Sequence, residues 1–101
     1  MDDTGPTTVA VEVADAAAGW PHVTVRRADG EVRFSAAGRV FATVTLRGVE
    51  LHLPPRVRDM LVETGRAAAL PHPHRALLPP GPADPDLLRL AYERARIAAG
   101  T

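Results

Sequence analysis

A chain of 101 residues, 46% of them apolar, is the size of one folded domain and too apolar for a disordered segment. Its formal net charge is zero, which argues against a nucleic-acid binder and against adhesion to anionic membranes by charge. Cysteine and lysine are absent, which excludes disulfides, thiolate nucleophiles, zinc–thiolate sites and lysine Schiff bases.

The polar, acidic start at residues 1–5 reads as a frayed tail and has no signal-peptide character. No apolar run approaches a membrane span, so the expected location is cytoplasmic. Residues 7–18 carry two patterns. Val9, Val11 and Val13 alternate as in a strand, whereas Val9, Val13, Ala16 and Ala17 share a helical face. Pro6 before and Gly19 after favour the helix. Trp20-Pro21 then breaks the chain, and Trp20 is expected as a plug between helix and sheet.

Four strands are predicted next. Residues 22–28 alternate through Val23 and Val25, and Asp29-Gly30 is a hairpin signal. Residues 31–36 point Val32, Phe34 and Ala36 inward, and Ala37-Gly38 turns again. Residues 39–46 divide into Val40, Ala42, Val44 and Leu46 on one face and Phe41, Thr43 and Thr45 on the other, followed by a turn at Arg47-Gly48. Residues 49–53 place Val49, Leu51 and Leu53 inward, with Glu50 and His52 outward. Short connections make such neighbours antiparallel.

After Pro54-Pro55, the residues Val57, Met60, Leu61 and Thr64 share one helical face, and Gly65 fits the stop. Residues 70–85 are Pro-rich and read as an extended loop crossing the surface, with no regular central element. A last helix is predicted from Asp84, its N-cap, to about residue 98, with Leu88, Ala91, Tyr92, Ala95 and Ala98 as its apolar stripe. The expectation is a single α+β domain over residues 1–101, α-β-β-β-β-α-loop-α: a four-stranded antiparallel meander with helices packed on one face.

Chemistry-bearing residues are few. His72 and His74 form an H-x-H pair that, with His52 or His22, has the donor types of a three-histidine metal site. His52, His72 and His74 are thus the weak metal candidates, against the plainer reading of solvated loop histidines. Ser35 is the sole serine and lies in a strand, outside any nucleophile elbow. Asp84 and Asp86 read as helix-capping groups, and Glu50 as a cross-strand partner for Arg33 or Arg47. The outer sheet face is the one candidate site: Arg26, Arg33, Phe41, Thr43, Glu50 and His52, with Phe41 as an apolar anchor among polar neighbours. No catalytic set and no cofactor are expected. The partner is a second copy or another protein, and a DNA-binding use of Arg26, Arg27, Arg33 and Arg39 is disfavoured by the zero net charge.

The run of Gly30–Phe34, Gly38–Ala42, Val49–Pro54 (VELHLP), Arg56–Leu61 and Gly65–Ala67, closed by Leu87–Tyr92 (LLRLAY), resembles the small bacterial "luciferase domain" family over residues 18–96. The resemblance implies a compact α+β domain with no established reaction. Members often carry H-x-H in the third strand, where this chain has Ala42-Thr43-Val44, and a Gly-Trp after the second helix, where this chain has Pro79-Pro80-Gly81-Pro82. Those departures count against transfer of an activity. A binding or metal-dependent enzyme domain built on the histidines is the alternative to an interaction domain.

Overall fold

The computed structural model describes residues 13–17, 19–72, 74–79 and 84–100. The tail at 1–5 and most of the helix expected over 7–18 lie outside them. Residues 13–16 are helical, with Val13 buried.

Two hairpins follow from local turn chemistry. Asp29-Gly30 and Ala37-Gly38 each have positive φ at both positions (52° and 78°; 51° and 85°), as two-residue hairpin turns of the primed type require. They link β1 (Val23–Ala28), β2 (Glu31–Ala36) and β3 (Arg39–Thr45), and β4 (Gly48–His52) completes the antiparallel meander. The third turn is Leu46-Arg47 rather than Arg47-Gly48. Gly48 already pairs with Thr45, and Leu46 is exposed at the tip rather than inward.

The sheet has six strands, not four. After α1 (Pro55–Glu63), β5 (Ala68–Ala69) and β6 (Arg75–Leu78) join it, giving the order β1-β2-β3-β4-β6-β5. The segment expected as a Pro-rich loop therefore contains an interior strand, paired with β4 on one side and β5 on the other. The physical reason lies in the placing of the prolines. Positions 71, 73, 79 and 80 bracket Arg75–Leu78, so none of the four strand residues lacks an N–H.

The alternation puts Val32, Phe34, Ala36, Ala42, Val44, Val49, Leu51 and Ala76 on one face, all buried. That face is covered by α2 (Pro85–Gly100), which lies chiefly on β3 and contributes Leu87, Leu88, Ala91, Tyr92 and Ala95 to the same core. Asp84 caps α2, its Oδ1 accepting from the N–H groups of Asp86 (3.0 Å) and Leu87 (3.2 Å). Helix α1 meets β5 and β6 and buries Leu61, but Met60, expected on its inner face, is half-exposed. Trp20, expected between the first helix and the sheet, packs between the sheet and α2, with ring centroids 4.9 Å from Tyr92 and 6.5 Å from Phe41. The Tyr92 hydroxyl donates to the Pro21 carbonyl at 2.8 Å and closes that corner. No described helix is long and apolar enough to cross a membrane.

Candidate functional site

Among the described residues the other sheet face carries no helix. Its cross-strand row runs Arg26, Arg33, Thr43, Glu50, Leu77, Ala68 from edge to edge. In its centre lies a hollow of about 390 Å³ lined by Glu31, Arg33, Val40, Thr43, Thr45, Glu50, His52 and Arg75. Arg33, Thr43, Glu50 and His52 thus come together as the alternation indicates. Arg26 stands beside them on β1, exposed and directly opposite Arg33.

Phe41 is the exception. It was expected on this outer face, yet it is fully buried in the core, packed edge-on to Tyr92 at 5.8 Å and tilted on Phe34 at 6.4 Å. A β-bulge is the cause: Phe34 pairs with Ala42, but Ser35 pairs with Val40, so Phe41 is an extra residue in β3. The bulge turns Phe41 inward and moves Val40 from the expected core face to the hollow. The outer face consequently has no aromatic anchor among the described residues.

Electrostatics also differ from expectation. Arg33 pairs with Glu31 on its own strand, not with Glu50. Glu50 stands opposite Thr43 and Leu77, and its Oε1 is 3.9 Å from His52 Nε2. Thr43, only 7% exposed, is the floor of the hollow and the sole buried polar residue among those described. Arg75 and Glu31 were missed in the sequence. Arg75 belongs to the strand hidden between prolines, and its proline-free RALL run was the available signal.

The histidines gather only in part. His52 is opposite Arg75 in the β4–β6 register. His72 and His74 lie just before β6, with ring centroids 6.2 Å apart. The backbone fixes them there: the Leu53 N–H donates to the His74 carbonyl at 2.6 Å, and the Arg75 N–H donates to the His72 carbonyl at 3.1 Å. Burial lowers His52 to about 4, aided by the positive charges of Arg75 and Arg94 and by His72 and His74. His74 is also lowered, by desolvation first and then by Arg94 and His72. His22 is remote, next to β1 with β2, β3 and β4 between, roughly 19 Å away at the usual strand spacing.

No group of three metal-ligating side chains converges among the described residues, so His52, His72 and His74 do not make the metal site that their types allow. No described histidine ring shares a hydrogen bond with a hydroxyl, and Ser35 stays within β2 opposite Thr24. No family model, curated protein or solved structure matches the chain.

Proposed function

We propose that this is a non-catalytic accessory or interaction domain of the cytoplasm, resembling the luciferase-domain family, and that its working surface is the uncovered sheet face. The supporting observation is that face itself: a polar hollow around buried Thr43, with Arg33 and Arg75 on one side of the charge balance and Glu31 and Glu50 on the other. A surface of mixed sign is self-complementary about a two-fold axis, which suits a second copy of the chain as partner. Size-exclusion chromatography with light scattering over a dilution series tests it. A dimer that dissociates on dilution is expected, weakened about tenfold or more by Glu50→Arg, since like charges facing each other cost on the order of 1 kcal/mol or more. A strict monomer at every concentration, with no partner retained in a pull-down, overturns the reading.

The alternative is a small-molecule-binding domain served by the histidines. It draws support from the His72–His74 pair, 6.2 Å apart just before β6, the strand that pairs with the end of β4 where His52 stands.

A further inference from the structure

The charges of the hollow do not cancel pair by pair. Arg33 is matched by Glu31 on its own strand. Glu50 and Arg75 line the same hollow, yet no ion pair joins them, and Arg75 has no carboxylate partner among the described residues. His52 is 3.9 Å from Glu50 but uncharged near pH 7, its value lowered to about 4, chiefly by burial. A half-buried carboxylate and a half-buried guanidinium thus share one hollow without a charged partner, which costs desolvation without a compensating contact.

The β4–β6 register fixes how these groups lie. Glu50 is directly opposite Leu77, and His52 is directly opposite Arg75. Arg75 and Leu77, two apart in β6, share the uncovered face, as strand alternation requires. Glu50 and Arg75 therefore stand on a diagonal, about 7–8 Å apart at the backbone. Thr43, only 7% exposed, is the floor between β2 and β4. Beyond Leu77 the face continues into a second hollow of about 350 Å³, lined by Ala67, Ala68, Leu77 and Pro79, with the exposed Arg47 and Arg66 also reaching it. One acceptor of negative charge, one donor of positive charge and one apolar shelf accordingly occupy three corners of a single cross-strand rectangle. A metal ion, an amine or a simple anion satisfies one corner only. A molecule that carries an ammonium, a carboxylate and an apolar chain on one carbon satisfies all three.

We propose that Glu50, Arg75 and Leu77 form a binding site for a free α-amino acid with an apolar side chain. Glu50 accepts from the ammonium, Arg75 donates to the carboxylate through its guanidinium fork, and Leu77 carries the side chain toward the second hollow. The site rests on the reading of the open face as the working surface, but not on the dimer.

The test is a titration of the unaltered protein near pH 7 at constant ionic strength, with backbone amide signals followed by NMR. The ligands are L-leucine, D-leucine, glycine, isocaproate (leucine without its ammonium) and isopentylamine (leucine without its carboxylate). One enantiomer of leucine is expected to bind saturably, with a Kd in the millimolar range or tighter, and to shift Glu50, Arg75 and Leu77. Glycine, isocaproate and isopentylamine should each bind at least tenfold more weakly. Isocaproate or isopentylamine binding as tightly as leucine overturns the zwitterion class. Glycine doing so, or two enantiomers binding equally, overturns the three-point site. Shifts that never saturate, or that sodium chloride reproduces, overturn binding altogether. Glu50→Gln and Arg75→Gln should each weaken leucine at least tenfold, whereas Arg26→Gln, outside the hollow, should not. The ligand series needs no variant, so it decides the matter even if a substitution destabilises the fold. Light scattering without ligand scores the dimer separately. A monomer that binds leucine upholds the site and overturns the dimer, and a dimer that binds none of these compounds overturns the site alone.

Discussion

His52 carries the clearest physical consequence of any single side chain. Its folded-state value near 4, set by burial and then by Arg75, Arg94, His72 and His74, lies below the ordinary 6.5 of the unfolded chain. Between those values the unfolded chain binds a proton that the folded chain refuses, so stability falls as pH drops through the window from 6.5 to 4. Allowing for solvent screening, the loss is on the order of 1–2 kcal/mol. His52→Gln is expected to flatten that slope, read as urea midpoints at neutral and mildly acid pH. An unchanged slope would place the effect on another group. His52 was legible as an outward strand residue beside Glu50. Its neighbours Arg75 and Arg94 were not, because they come from 23 and 42 residues further along, and periodicity reports faces, not meetings of distant faces.

At the scale of elements, β6 decides the architecture, and Gly48 decides whether β6 can dock. A Cβ on Gly48 would lie 1.9 Å from the Leu78 carbonyl oxygen, and its φ of 136° is foreign to other residues. Gly48→Ala is expected to destabilise the fold by about 3 kcal/mol or more, the range of severe backbone clashes. Gly65→Ala is the matched control: φ is 76° but nothing lies within 4 Å, so about 1 kcal/mol of backbone strain is expected. Urea unfolding of both variants checks the difference, and equal losses would mean that the Leu78 contact is not decisive. The meander was readable because Asp29-Gly30 and Ala37-Gly38 specify their turns locally. The six-stranded sheet was not, since the four-residue RALL run is too short a signal to outweigh the prolines around it, and it pairs because β4 offers an edge. The bulge at Phe41 is equally silent: alternation counts residues, and one extra residue reverses the count from that point.

For the molecule as a whole, one face is sealed by helix and aromatic packing and the other is left polar, which is why the candidate site was half legible. The places of Arg33, Thr43, Glu50 and His52 follow from parity alone, whereas Phe41 turns into the core and Arg75 joins from β6. The sheet also has unequal borders. β1 is six residues long, mostly exposed, and no described residue pairs with its outer side, whereas β5 is only two residues long. Should two copies join through β1 instead of through the open face, their Arg26 and Arg27 side chains would crowd together. Arg26→Gln, which removes the charge from both copies, is then expected to tighten the dimer severalfold, and to loosen or spare one formed through the hollow. Light scattering on dilution reads the direction of the change.

The unequal borders have a last consequence. A sheet with two long free edges can recruit copies without end and grow into a fibre. Among the described residues this one offers a single edge long enough to hold a neighbour, so by that edge its valence is one. Once two copies have used that edge, the composite sheet is bounded on both sides by the pair of alanines, Ala68 and Ala69. Growth by strand addition therefore terminates at two.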